Sequence, residues 1–179
     1  MRFAGASPLG LFSQCHARTL EECLDLRKLV LLLRETGWST RAQQASRDIL
    51  RHFDQEATQN HVEEEACLFP ALLDSMAGTE PDCLREMTST LARQHSGLER
   101  MWARLRPQLE AICTGQSAAL SSADVEDFIE ANVRHIESEE NGLLPMAQRL
   151  IAGRELPRLR SSILQWRTAC NEMRAAMHG

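Results

Sequence analysis

Two stretches of the chain are variants of one pattern: HVEEEACLFP at residues 61–70 and HIESEENGLLP at residues 135–145. Each begins with a histidine, carries a glutamate four residues later, and ends in an apolar pair followed by proline. Residues four apart lie on one face of an α-helix, so each histidine and its glutamate can reach a common point beside the helix. The sequence therefore predicts two helices that each present a nitrogen and a carboxylate donor on the same face.

A single histidine precedes each of these stretches on the helix before it: His16 in the first half and His95 in the second. Apolar residues recur around them at spacings of three and four, as in Leu91, His95, Leu98 and Trp102, which is typical of an inward-facing helix stripe. The chain therefore contains an internal repeat of two helical hairpins. Each hairpin has a lone histidine on its first helix and a His-x-x-x-Glu step on its second.

The apolar periodicity and its breaks predict five helices and no strand. Gly37 separates the first two helices, residues 114–122 form a loop by composition, and Gly153 ends the fourth helix. The fold class is therefore all-α: an up-down-up-down four-helix bundle over residues 10–152, followed by an amphipathic C-terminal helix within residues 153–179. The predicted helices cover residues 13–35, 39–76, 82 to the loop, the loop to 152, and 156–177.

The constant rise of a helix, about 1.5 Å per residue, places the four histidines at one height in such a bundle. Helix 1 descends about twenty residues from His16 to its turn, and helix 2 climbs about as many back to His61. The same count of residues along helices 2 and 3 brings His95 level with His61. His135 reaches a similar height on helix 4, after the longer loop at residues 114–122. Buried polar groups without partners cost roughly 1–3 kcal/mol each, and a metal ion satisfies several of them together. The layer therefore indicates a metal centre in the bundle interior.

The composition argues against several other classes of function. The 179 residues carry a net charge of -5 with an isoelectric point near 5.7, which disfavours non-specific binding to nucleic acid. No apolar run approaches the ~20 residues that span a bilayer, and no apolar signal core follows basic residues at the N-terminus. We therefore expect a cytoplasmic protein without a membrane partner. The six cysteines form no Cys-x-x-Cys pair and are expected to be free thiols.

The order and spacing of these residues resemble the hemerythrin-like, HHE cation-binding family over residues 10–152. The resemblance implies a non-haem di-iron centre inside a four-helix bundle, in which the carboxylates of the two His-x-x-x-Glu steps bridge the irons. Ferritin-type centres use Glu-x-x-His instead, and none of the six histidines has a glutamate three residues before it. Carried over position by position, the resemblance implies six metal ligands: His16, His61, Glu65, His95, His135 and Glu139.

Two positions leave alternatives open. The proline follows the histidine by nine positions in the first stretch and by ten in the second. A slip of one residue rotates a helix by about 100°, so Glu64 is the alternative bridging carboxylate, although the i,i+4 spacing favours Glu65. Glu99 follows His95 by one turn, where oxygen-carrying hemerythrins have a second histidine, and is either a seventh ligand or a partner that orients an imidazole. His52 lies off the inward stripe and is expected at the surface.

Four imidazoles and two carboxylates suit two iron ions, and zinc or manganese also fit these donors. If both carboxylates bridge, each metal has about four protein donors, which leaves positions for a small ligand. The predicted function is therefore binding or sensing of O₂, NO or peroxide, or handling of iron, by a binding protein rather than an enzyme. One alternative is iron–sulfur cluster repair, whose dedicated family members carry an additional N-terminal cysteine-bearing domain not found in this sequence. The other is a regulatory bundle that the metal only stabilises.

The last predicted helix carries its own apolar stripe, which the metal centre does not need. Its steps alternate three and four, the spacing of a helix that lies along another helix. Packing against the bundle of its own chain and a homodimer interface are the two interpretations. The stripe comprises Leu156, Leu159, Ile163, Trp166, Cys170, Met173 and Met177.

Overall fold

The computed structural model describes residues 7–75, 81–151 and 155–177, which form five helices and no strand. The all-α prediction is confirmed within these ranges. The first helix, α1, spans Pro8–Thr36. It ends at Gly37, whose φ of 67° lies in the left-handed region that favours glycine, and the Gly37 N–H donates to the Leu33 carbonyl at 3.0 Å.

The second helix, α2, runs through residues 40–75. Ser39 caps its N-terminus, because the Ser39 hydroxyl oxygen accepts a hydrogen bond from the Ala42 N–H at 3.2 Å. The helix is not uniform, since two wider π-helical turns interrupt its α-helical geometry. The α-helical parts are Thr40–Arg51, Thr58–Glu63 and Phe69–Ser75, and the π-helical parts are His52–Ala57 and Glu64–Leu68.

The remaining helices complete the predicted order. α3 spans Pro81–Cys113 and continues through Pro107. α4 runs through residues 122–150 and is capped by Ser121, and α5 spans Glu155–Met177. The predicted domain boundary between residues 152 and 153 lies outside the described residues. Within α4, the π-helical turn Glu139–Leu143 separates the α-helical parts Ser122–Ser138 and Leu144–Leu150.

The second π-helical turn of α2 and that of α4 each precede a proline, and each begins at a glutamate. The N–H of the residue after the turn bonds to the glutamate carbonyl five residues back, at Glu64 in one helix and Glu139 in the other. Pro70 and Pro145 have no N–H, and their rings crowd the preceding turn of a regular helix, so a wider turn there is tolerated. The two halves of the bundle therefore align through these turns, with Glu64 equivalent to Glu139.

Two apolar clusters fill the two ends of the bundle. One lies at the Gly37 end and the other at the opposite end, so the predicted histidine layer falls between them. Burying large side chains on both sides of this layer shields it from solvent. The cluster at the Gly37 end includes Leu26, Leu33, Ile49, Leu105 and Phe128, and the opposite one includes Phe12, Leu68, Leu72, Leu84 and Leu143.

α5 packs against the opposite end of its own bundle. Leu159 and Ile163 are buried in that apolar cluster, at 2% and 3% exposure. The Arg167 guanidinium donates to both Glu63 carboxylate oxygens at 2.6 and 2.7 Å, which fixes α5 against α2. The side chains of the stripe beyond Cys170 lie outside the described residues, and the homodimer remains a prediction. No described helix combines the length and apolar character needed to traverse a bilayer.

Candidate metal centre

Four helices place histidine and glutamate side chains together between the two apolar clusters. The His16 Nε2 atom lies 2.9 Å from the Glu139 Oε2 atom. On the other side, His95 Nε2 is 3.4 Å from Glu64 Oε2, and His135 Nε2 is 3.4 Å from Glu139 Oε2. All of these side chains are at most 4% exposed. We call this set the His–Glu cluster: His16, Glu64, His95, His135 and Glu139.

Each carboxylate of the His–Glu cluster lies between imidazoles of the two halves. The Glu64 Oε1 atom is 3.5 Å from His16 Nε2, while its Oε2 atom faces His95. The Glu139 Oε2 atom faces His16 and His135, and its Oε1 atom is 3.8 Å from His95. The two carboxylates are therefore placed as bridges between the histidine of α1 and those of α3 and α4.

The structure corrects the expected position of one carboxylate, because Glu64 rather than Glu65 faces the cluster. Glu64 is fully buried, whereas the Glu65 side chain is 45% exposed. The i,i+4 spacing from His61 pointed to Glu65, but the face of α2 that meets His16 carries Asn60 and Glu64. Packing sets this rotation of the helix, and the π-helical turn from Glu64 onward carries Glu65 outward.

Glu65 instead orients a cluster histidine from outside, and the second half repeats this arrangement. The His95 Nδ1–H donates to Glu65 Oε1 at 2.6 Å, and the His16 Nδ1–H donates to Glu140 Oε1 at 2.6 Å. Because an ionised carboxylate only accepts hydrogen bonds, each contact places the hydrogen on Nδ1 and turns Nε2 toward the cluster. Gln94 Oε1 accepts from His135 Nδ1 at 3.0 Å in the same way.

His61 lies next to the cluster on the side of α3 and α4. Its ring stacks on that of His95 with centroids 4.1 Å apart, and it meets the His135 ring edge-on at 5.2 Å. The ring nitrogens of these three histidines are close enough to hold one metal ion, as are the donor atoms of Glu64, His95, His135 and Glu139. The structure thus brings His61 to the imidazoles of α3 and α4.

Two further expectations differ from the structure. Glu99 is exposed and is not part of the His–Glu cluster, although it lines a small cavity beside His61. His52 is buried at 2% exposure, contrary to the expected surface position. Its Nε2 atom lies 2.9 Å from the Thr19 hydroxyl, and Nδ1 lies 3.3 Å from Glu56 Oε2. Because a π-helical turn begins at His52, extrapolation at 3.6 residues per turn assigns it to the wrong face.

The cluster strongly perturbs the protonation of its members. Burial opposes charge on His16 and His95, but the nearby Glu139 and Glu64 carboxylates outweigh it and raise both pKa values to about 10. Burial lowers the pKa of His135 to about 4. Burial disfavours ionised Glu139 as well, yet the close His16 and His95 imidazoles hold its pKa below the usual range. The pKa of Glu64 is raised, by burial and then by the Glu139 charge.

Several buried atoms of the His–Glu cluster lack a hydrogen-bond partner, and their chemistry indicates whether the cluster suits a metal ion. Within the described residues, five buried side-chain atoms have no hydrogen-bond partner of acceptable geometry, and all five belong to the cluster. Such atoms cost roughly 1–3 kcal/mol each when they are left without partners. Imidazole nitrogens and carboxylate oxygens are ligands of iron, zinc and manganese, so these residues fit a metal centre. The atoms are Glu64 Oε2, His95 Nε2, His135 Nε2, Glu139 Oε1 and Glu139 Oε2.

The sequence interpretation missed Asn60, Gln94 and the contact of Glu140 with His16. A usable signal was the proline that ends each stretch. Aligning Pro70 with Pro145 makes Glu64 equivalent to Glu139 and Glu65 to Glu140. The same alignment places Asn60 opposite His135 and leaves His61 one position out of register.

Comparisons with known proteins agree with this geometry. The family model for the hemerythrin HHE cation binding domain matches residues 7–147, a range that includes the whole His–Glu cluster. An uncharacterized protein of Haemophilus influenzae is 28% identical over 133 residues, which cover 74% of this chain and 74% of that protein.

Proposed function

The chain belongs to the hemerythrin HHE cation-binding family, and from this we propose that it is a non-haem iron protein that binds O₂, NO or peroxide at its His–Glu cluster. The observation that carries the proposal is the set of five buried, unpartnered nitrogen and oxygen atoms in one layer of the bundle. Iron bound there would supply reversible coordination of a small ligand. Family membership supports metal binding, and the choice of iron and of the ligand is our inference.

The side chains divide into those that would hold the iron and those that would position the holders. Glu64 and Glu139 would bridge, because each faces imidazoles of both halves. Glu65 keeps the Nε2 atom of His95 directed inward through its Nδ1 contact, and Glu140 does the same for an imidazole of α1. The apolar clusters above and below exclude water, which strengthens every electrostatic contact inside the layer.

A small cavity beside His61 favours a diatomic ligand. Its volume is about 30 Å³, enough for one molecule of the size of water or a diatomic gas. Most of its walls are apolar, which suits neutral O₂ or NO better than a charged ligand. The cavity therefore offers a small ligand a place next to the His61 imidazole. Its lining includes Phe53, Ala57, Leu98, Trp102 and Phe128.

The proposal is tested by adding NO without oxygen to the reduced, iron-loaded protein. We expect new absorption bands, because iron ions with about four protein donors each would keep coordination positions for a small ligand. The same experiment with azide and the oxidised protein should produce a new charge-transfer band. Unchanged spectra in both, with iron demonstrably bound, would contradict a ligand-binding role and leave iron with only a structural one.

Filling the cavity should weaken ligand binding without removing iron. Ala57 is 5% exposed and lines the cavity, so Ala57→Val places two methyl groups in it. A ligand that must displace the added methyl groups would meet an overpacking cost of about 1–3 kcal/mol, so NO affinity should fall by about 5–150-fold. The control is Ala42→Val, a fully buried site in the apolar cluster at the Gly37 end. Equal NO affinity in Ala57→Val and the control would show that ligands do not use this cavity.

Glu65→Gln is expected to weaken iron binding by about 10–100-fold, because the His95 imidazole loses the charge that orients it. The fold should persist, since the Glu65 side chain is 45% exposed. Competition with a coloured chelator measures the affinity. Glu137→Gln changes an exposed carboxylate two residues before Glu139 and is the control. Wild-type affinity in Glu65→Gln would show that the outer hydrogen bond does not tune the site.

A further inference from the structure

The two halves of the His–Glu cluster are not equivalent in their imidazoles. The π-helical turns Glu64–Leu68 and Glu139–Leu143 set the two helices in register. Four residues before Glu139, α4 carries His135, and four residues before Glu64, α2 carries Asn60. The internal repeat therefore has an amide in its first half where its second half has an imidazole.

The contacts of Asn60 show that it occupies the histidine position and does not merely correspond to it in sequence. Asn60 is 7% exposed, and its Nδ2 atom donates to Glu64 Oε1 at 2.6 Å. The same atom lies 3.5 Å from His16 Nε2. In the second half, the His135 ring has equivalent neighbours, with Glu139 four residues ahead and the His95 ring 4.7 Å away between centroids.

The first half also lacks a side-chain amide that could orient an imidazole at the position of Asn60. Gln94, the residue before His95, accepts the hydrogen bond from His135 Nδ1. The residue before His16 is Cys15, whose thiol instead lies 3.7 Å from the Glu56 carbonyl oxygen. A thiol is a weak acceptor and is a poor substitute for the amide oxygen. Both the ligand and its support thus differ between the halves.

His61 increases the difference. It stacks on His95 and contacts His135, so three imidazoles gather on the side of α3 and α4. On the side of α1 and α2, His16 is the single imidazole among the described cluster residues, beside the Asn60 amide. Imidazole suits iron, nickel and zinc, so a position with three imidazoles should bind such ions more tightly than a position with one.

We propose that the centre has two unequal metal positions: a retained ion among His61, His95 and His135, and an exchangeable ion beside His16 and Asn60. Glu64 and Glu139 serve both positions, because each of them faces both sides. The inference rests on the proposed metal-binding function and deepens it. It replaces the equal pair of ions expected from the repeat.

A cavity gives the exchangeable position a path to solvent. It measures about 330 Å³ and lies between α1, α2 and α5, with Asn60 in its wall. Its charged lining residues are Arg18, Glu56, Glu63 and Arg167, and Arg167 pairs with Glu63, so the formal charges of the lining balance. Cavities also reach the retained position, one of about 30 Å³ beside His61 and one of about 190 Å³ beside His135. The difference in retention is therefore expected from the ligands rather than from access.

The test is a titration of the metal-free full chain with Co²⁺, whose visible spectrum reports coordination and whose binding needs no activity assay. We expect two phases that differ at least about 100-fold in affinity, since losing a ligand should exceed the 10–100-fold effect of losing an outer partner. After gel filtration, the wild type should keep about one ion per chain. Asn60→His should keep about two, and the double variant Cys15→Gln, Asn60→His should keep them more tightly.

Two deletions assign the phases to residues. His16→Ala should abolish the weak phase and leave the strong one, whereas His135→Ala should abolish the strong phase. If the wild type bound two Co²⁺ ions per chain in a single phase, the two positions would be equivalent. That result would overturn the inference while leaving the metal-binding proposal intact. So would a folded Asn60→His variant, as judged by circular dichroism, that keeps no more Co²⁺ than the wild type. Absence of Co²⁺ and iron binding in the wild type would overturn both proposals.

Discussion

Replacing Glu139 with glutamine is expected to strip metal from the whole centre. Glu139 is fully buried, and its carboxylate faces His16, His95 and His135. Glutamine keeps the volume but removes the charge that would serve both metal positions. Removing one partner of a buried ion pair typically costs about 3–5 kcal/mol. For a domain of this size that corresponds to a fall of roughly 6–20 °C in Tm.

Elemental analysis after gel filtration and thermal unfolding followed by circular dichroism measure the two effects. Glu140→Gln is the matched control, because it changes the adjacent carboxylate, which contacts only His16 among the cluster histidines in the described contacts. We expect that variant to keep metal with reduced affinity. If Glu139→Gln retained as much metal as Glu140→Gln, the bridging role of Glu139 would be wrong.

Loading with iron is expected to raise the Tm of the wild-type protein by roughly 8–16 °C. A ligand that binds only the folded state at about 1,000 times its Kd adds about 4.1 kcal/mol to the free energy of unfolding. Each kcal/mol shifts the Tm of a domain of this size by about 2–4 °C. Part of this gain comes from partnering the five unsatisfied atoms of the cluster.

The control for iron loading is the double variant His61→Ala, His135→Ala, which removes two imidazoles from the retained position. Iron should shift its Tm much less, and chelation should change it little. Differential scanning calorimetry with and without a chelator makes the comparison. Equal shifts in the wild type and the double variant, or stoichiometric iron retained by the double variant, would contradict the assignment of these histidines.

The sequence was sufficient for the fold and for the existence of the histidine layer. Helix periodicity, the break at Gly37 and the cap at Ser39 are local signals, and each acts where the pattern indicates. The height of His16 and His95 followed from the constant rise per residue, which tertiary packing changes little. The structure accordingly brings both histidines to the same two carboxylates.

The sequence was not sufficient to predict which residues of each helix face the bundle interior. His61 and Glu65 have the i,i+4 spacing of residues on one helix face. In the structure, however, α2 is rotated so that Asn60 and Glu64 face His16. A π-helical turn changes the rotation of the residues that follow it, and its presence depends on how the helix packs around a downstream proline. His52 is buried although the helical stripe predicts a surface position, because another π-helical turn begins at this residue.

By itself, the sequence determined five helices, their order, and a layer of nitrogen and carboxylate donors, because these depend on periodicity and rise along each helix. Only the tertiary structure decided that Glu64 lies inside and Glu65 outside, that Glu140 supports His16 across the bundle, and that Asn60 stands where an imidazole was expected. The physical reason is that rotation of a helix about its axis is set by the side chains packed against it from other helices, and those contacts join residues far apart in the chain.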